Sequence, residues 1–251
     1  MIRGITDAVK HLLIINVVLF IGTLAIGNIL KFWLSLYLPL NDWFKPWQFL
    51  THMFMHADFV HILFNMFALW MFGTAVEQVL GTKRFLFVYF SAGLGAFLFQ
   101  LGFNYYEFYD LVSPLLSKGY SLENIVVSLN ETGPSSRIID SAMTFKDNKY
   151  LNEVFFGGML GASGCIMGVL AAFGMMNPEA KLMLIFLPIP IKAKYFIPGI
   201  IMLDVISAFT GQSFFSPSNT AYMAHIGGAL TGFFIMWYWR KTQFNQNRWD
   251  R

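Results

Sequence analysis

Five polar side chains stand in long apolar stretches of the 251-residue chain: His61, Asn65, Ser163, Asp204 and His225. A serine hydroxyl is a weak nucleophile near neutral pH until an imidazole removes its proton. The same imidazole can then pass a proton to a departing amine. Ser163 and His225 are the residue types that acyl transfer of this kind needs. Its tetrahedral intermediate carries an oxyanion, which calls for fixed hydrogen-bond donors. His61 and Asn65 lie four residues apart and share one helical face, so both can aim donors at one place. The backbone N–H of Ser163 is a third donor. A satisfied contact between helices accounts equally well for His61 and Asn65 taken alone.

The composition of those stretches says where the groups must meet. Hydrophobic residues make up 56% of the chain, aromatic residues 18% and charged residues 12%, against about 25% charged in a soluble domain. Mean hydropathy is +0.55. Too few charges are present to cover a water-facing surface, which excludes soluble, disordered and disulfide-scaffold proteins. The net charge of +3 is too small and dispersed for nucleic-acid binding, and the single cysteine, Cys165, forms no internal bridge. The chain reads as an integral membrane protein of the lipid bilayer.

A crossing helix needs about 20 apolar residues. Windows free of Asp, Glu, Lys and Arg occupy 11–30, 59–76, 85–106, 154–178 and 221–239, and 195–217 holds Asp204 alone. They predict an all-α membrane protein, a bundle of six transmembrane helices in a single domain over 1–251. The first window is long and lacks a small-x-small cleavage site before polar sequence, so it is expected as a retained helix rather than a signal peptide. Leu182–Ile191 is apolar but short and carries Pro188 and Pro190, so an interfacial loop is expected there. Residues 31–58, rich in Trp and Phe, suit the membrane interface. Residues 107–153 are polar and form an external insert, either packed over the outer face or mobile.

Gly157, Gly161, Gly164 and Gly168 recur through the fourth window, and Ala221, Ala224, Gly228 and Gly232 through the sixth. Small residues at this spacing let membrane helices meet backbone to backbone. Gly161, Gly164, Gly168, Gly228 and Gly232 are therefore the expected helix-packing residues. Their contact would bring Ser163 within reach of His225, although such stripes also serve packing alone.

With both termini in the cytoplasm, eleven Lys and Arg fall inside and six outside, four of the six in the 107–153 insert. Basic residues favour the cytoplasmic side, so this orientation is expected, with the candidate site opening to the external face.

These features together resemble a rhomboid intramembrane serine protease. The matching segments are His52-Met53-Phe54-Met55-His56, His61-Ile62-Leu63-Phe64-Asn65, Glu77 with Gly81, Gly161-Ala162-Ser163-Gly164 and Ala224-His225-Ile226-Gly227-Gly228. They cover about residues 45–105 and 154–240, in the family order. The resemblance implies a Ser163–His225 catalytic dyad without a third carboxylate, and oxyanion binding by His61, Asn65 and the Ser163 N–H. It implies no cofactor and no metal, and substrates that are membrane-spanning proteins entering past the fifth helix and a cap at 211–220. A bacterial inner membrane is the expected home.

Three departures from the family pattern stand out. A Trp-Arg pair of the first loop reads Trp47-Gln48, which removes an ionic anchor. The aromatic residue four positions after the serine is Met167, a softer support for the imidazole. The 107–153 insert is longer than the minimal family loop. Asp204 is expected at polar depth near the outer end of its helix, bonded to backbone or water, with a carboxylate partnership to His225 as the competing reading.

His52, His56, His61 and His225 also admit a haem or metal reading. It leaves the serine among glycines unexplained and finds no carboxylate ligands beside the histidines. The alternative from another functional class is a catalytically inactive rhomboid-like protein that binds membrane-spanning clients. Such proteins usually lack the serine or the histidine, and this chain keeps both. Neither oligomeric state nor substrate identity has a signature in the chain.

Overall fold

The structure, a computed structural model, describes residues 4–135, 138, 141, 143–184, 187–210 and 222–242. The expected cap at 211–220, the end of the fifth window at 211–217 and Ala221 of the sixth-window stripe lie outside the described residues.

Helix α1 (Asp7–Ile26) ends at Gly27 and the chain continues as the short α2 (Asn28–Leu34). An irregular stretch leads through α3 (Gln48–Thr51) and a 3-10 turn, His52–Phe54, to α4 (Phe59–Ala68). Asp58 caps α4: its carboxylate accepts from the His61 N–H at 2.8 Å, relieving one of the unpaired donors of the first turn. A π-helical turn, Leu69–Gly73, carries α4 into α5 (Thr74–Leu80). Helix α6 (Thr82–Ser117) runs well past the expected end of the third window. Helices α7 (Leu122–Thr132), α8 (Phe145–Phe156) and α9 (Ser163–Met176) follow. Strands β1 (Lys181–Leu184) and β2 (Leu187–Lys192) precede α10 (Ala193–Thr210) and α11 (Tyr222–Thr242).

The protein is mostly helical. The runs Asp7–Ile26, Phe59–Leu80 and Thr82–Ser117 are long and apolar enough to cross a membrane. Helices α9, α10 and α11 have 14, 18 and 21 residues and lie where the other three windows were expected. Apolar side chains such as Val18, Ile21 and Leu24 on α1 and Phe233 and Phe234 on α11 face outward, as a lipid-facing surface requires.

Helix α9 is the hub. Every residue from Gly164 to Phe173 is buried, with α6 on one side and α11 on another. Side-chain-free positions make this possible. A methyl group at Gly164 would overlap Ala96 of α6, and one at Gly228 or Gly232 would overlap the carbonyl oxygen of Gly164 or Gly168. The expected packing roles of Gly164, Gly168, Gly228 and Gly232 thus have a steric basis.

Two expectations are corrected. Where a loop was expected over 182–191, strands Lys181–Leu184 and Leu187–Lys192 pair antiparallel, with Lys181 opposite Lys192 and Leu182 opposite Ile191. At the base of this pair Glu179 reaches Lys192 at 2.7 Å and Lys194 at 2.5 Å, and these bonds hold the Glu179 carboxyl at about 2. The fourth helix begins at Ser163 rather than at 154, because α8 ends at Phe156 and residues 157–161 lie outside any helix. Leu36 and Met159 exchange backbone hydrogen bonds of 2.9 and 2.8 Å, and the Gly161 N–H donates to the His52 carbonyl at 2.9 Å. Gly157 and Gly158 are poor helix formers, and these outside partners complete the non-helical arrangement.

The 107–153 insert packs around a second core. Phe108, Val112 and Leu115 of α6 meet Ile125 and Leu129 of α7, Leu151 and Phe155 of α8, and Leu38 from the first connection. Asn41 donates to the Phe155 carbonyl at 2.9 Å, and Asn130 donates to the Leu40 carbonyl at 3.1 Å. The insert therefore clasps the segment that follows α2.

Candidate active site

Ser163 is the first residue of α9. The N–H groups of a first helical turn have no intrahelical acceptor and carry a partial positive charge, so the hydroxyl sits beside backbone donors. Its approach depends on Gly161, whose φ of +129° is closed to most side chains. A Cβ at Gly161 would stand 3.0 Å from the His61 ring. This corrects the expected role of Gly161: it lines the site and does not pack one helix on another.

His225 lies in the first turn of α11. That turn is anchored to α6, since the Ala224 N–H donates to Gln100 Oε1 at 3.2 Å and Gln100 in turn donates to Asn104 at 2.8 Å. The backbone contact of Gly228 with Gly164 sets the helix separation one turn further along. The result is a His225 Nε2 to Ser163 Oγ distance of 2.9 Å.

The other imidazole nitrogen is also engaged. His225 Nδ1 lies 3.1 Å from Asp204 Oδ2 of α10, and both side chains are largely shielded from solvent. This corrects the expectation that Asp204 bonds to backbone or water. Its carboxylate faces the histidine.

His61 and Asn65 both lie on α4. The Ala57 N–H points at His61 Nδ1, at 3.4 Å, which leaves Nε2 as the protonated nitrogen, on the side of the ring next to Gly161. Asn65 is buried, and among the described residues its Nδ2 has no hydrogen-bond partner. A buried donor in that state costs on the order of 1–3 kcal/mol, a cost a reacting oxyanion would relieve.

Several supporting groups lie in the connection ahead of α4. His52 is buried, its Nδ1 donates to the Gln48 carbonyl at 2.7 Å, and its own carbonyl holds Gly161. Burial pushes His52 down to about 4 and, with the charge of His61 adding to it, His56 down to about 3. Both rings are therefore neutral near pH 7.

Gln48 replaces the missing ionic anchor. It is fully buried; its Oε1 accepts from the N–H groups of Lys45 (3.1 Å) and Tyr37 (3.4 Å), and its Nε2 donates to the carbonyls of Trp43 (3.0 Å) and Trp33 (3.3 Å). Four backbone groups of one connection thus meet a single amide.

A family model described as the Rhomboid domain matches residues 44–128 and 132–242. The presenilin-associated rhomboid-like protein, mitochondrial, of Rattus norvegicus is 31% identical over 186 residues, which is 74% of this chain and 35% of the relative. Rhomboid protein 1, mitochondrial, of Saccharomyces cerevisiae is 28% identical over 196 residues, 78% of this chain and 42% of the relative. A shorter stretch of 48 residues, 19% of this chain, is 46% identical to the rhomboid protease GluP of Bacillus subtilis and covers 10% of that protein. The chain thus spans well under half the length of these relatives. The rat and yeast proteins, each matching about three quarters of the chain, are named mitochondrial, which gives no support to the expected bacterial inner membrane.

Proposed function

The chain belongs to the rhomboid family, and on that premise we propose that it is an intramembrane serine endopeptidase cutting membrane-spanning proteins. The observation that carries this reading is the 2.9 Å approach of His225 Nε2 to Ser163 Oγ at the start of a buried helix. The proposal includes six crossings, by α1, α4 with α5, α6, α9, α10 and α11, in one domain. Ser163, the α4 donors and His225 then open on the face opposite the chain termini.

Catalysis follows from the placement of protons. Ser163 Oγ attacks the scissile carbonyl carbon while its proton passes to His225 Nε2. The carbonyl oxygen takes the negative charge, facing His61 Nε2, Asn65 Nδ2 and the Ser163 N–H. Collapse breaks the C–N bond, and the proton on His225 leaves with the amine. A water molecule then attacks the acyl ester, gives a proton to His225, and releases the acid as Ser163 regains its proton. One water is added across one peptide bond.

The inactive client-binding alternative requires no such contact and leaves without a use an Asn65 donor that has no partner among the described residues. The test is cleavage of a transmembrane substrate in reconstituted membranes. Ser163→Ala and His225→Ala are each expected to abolish it while leaving expression and thermal unfolding near normal. Cleavage retained by either variant would overturn the proposal.

A further inference from the structure

We propose that Asp204 is a positioning residue that orients His225, so that this protein works with a serine–histidine–aspartate relay rather than with a dyad alone. The inference rests on the endopeptidase reading above and goes beyond it.

Two observations carry it. Asp204 Oδ2 stands 3.1 Å from His225 Nδ1 while Nε2 of the same ring stands 2.9 Å from Ser163 Oγ. A carboxylate accepts hydrogen bonds and, when ionised, donates none. Nδ1 must therefore carry the ring proton, which leaves Nε2 free to accept from the serine. The second observation is burial: Asp204 is 7% exposed in a helix of apolar residues. An ionisable group in such a segment is costly and rarely kept without a use.

The fold also explains how α10 reaches the site. Its first turn is fixed at the far end, where the Ala193 N–H donates to the Ala180 carbonyl at 2.8 Å and the Lys194 N–H to the Pro178 carbonyl at 3.1 Å. Ile197 packs against Gly174 of α9. From that base α10 leads to Asp204 beside α11. During turnover the imidazolium formed on proton uptake faces a carboxylate already in place, so the charge develops without reorganisation. The carboxylate holds its position and takes no proton.

The test is steady-state cleavage by wild type, Asp204→Asn, Asp204→Glu and Ser163→Ala, with thermal unfolding measured on each. Asp204→Asn keeps the volume but turns an amide donor toward Nδ1, favouring the wrong ring tautomer. It is expected to lower kcat on the order of 10²- to 10⁴-fold with KM within about 2-fold. Asp204→Glu, which retains the carboxylate, is expected to recover at least about 10-fold of that loss. An Asp204→Asn enzyme with kcat near wild type overturns the positioning role, as does a loss shared equally by Asn and Glu. If Asp204→Asn does not fold, the rate of fluorophosphonate labelling of Asp204→Ala decides, a wild-type rate overturning the proposal and a slowed rate that Asp204→Glu restores supporting it. Cleavage surviving in Ser163→Ala would sink the endopeptidase reading itself, whatever the Asp204 variants do.

Discussion

Gly228 of α11 lies against Gly164 of α9 so closely that a methyl group on the first would overlap the carbonyl oxygen of the second. One residue before Gly164 is Ser163, and three before Gly228 is His225. The distance between two glycine backbones therefore sets the distance between nucleophile and base. Gly228→Ala is expected to force the helices apart, destabilising the protein by about 1–3 kcal/mol and reducing cleavage much more than Ala224→Ser would. Thermal unfolding in detergent and cleavage rates check both parts.

The left-handed backbone at Gly161 makes a separate prediction. Gly161→Ala adds backbone strain of about 1–3 kcal/mol and presses a Cβ against the His61 ring. Cleavage should fall by at least about 10-fold, with expression retained. A fully active Gly161→Ala enzyme would mean that the His61 ring does not need its present position.

The two donors on α4 should affect the chemical step and not substrate capture. Asn65→Ala and His61→Ala are each expected to lower kcat by about 100- to 1000-fold with little change in KM. Asn65→Ala should also leave unfolding unchanged or raise its midpoint slightly, because it removes a buried donor that has no partner among the described residues. A rise in KM as the main effect would place Asn65 in substrate binding.

Gln48 braces the connection between α2 and α3 through four backbone groups. Gln48→Ala strands them, and each buried group left unpaired costs about 1–3 kcal/mol. Lower thermal stability and faster proteolysis within residues 35–47 are the expected readouts.

Acid sensitivity follows from His52 and His56, held by burial at about 4 and about 3, below the ordinary 6.5. A histidine depressed in the folded state contributes stability that is fully present above its unfolded value and is lost as pH falls toward the folded value. The unfolding midpoint should be flat above about pH 7 and decline from about pH 6.5, with the His52 share complete near 4 and the His56 share near 3. His56→Leu should flatten part of that decline.

Much of the candidate site was legible because its parts are rare in apolar sequence. Ser163, His225, His61 and Asn65 stand out by type, and Gly164, Gly168, Gly228 and Gly232 by spacing. The early start expected for the fourth helix failed because glycine spacing alone does not separate a helical stripe from a non-helical segment. Met159 and Gly161 find their hydrogen bonds on Leu36 and His52, far away in sequence. The contact of Asp204 with His225 stood only as the competing reading for the same reason, since it depends on how α10 leans toward α11. The pairing of strands β1 and β2 was obscured by Pro188 and Pro190, and the insert's core by its charges, although Ile125 with Leu129 and Leu151 with Phe155 do show the four-residue spacing of a buried helical face. Gln48 looked like a loss only because an amide was compared with an ionic anchor by charge and not by its count of hydrogen bonds.

The most direct test of the central claim is mass spectrometry of the intact protein after reaction with a fluorophosphonate. One adduct mapped to Ser163, absent in Ser163→Ala and strongly reduced in His225→Ala, is the predicted result. An adduct on another residue, or labelling of Ser163 that is indifferent to loss of His225, would contradict the account.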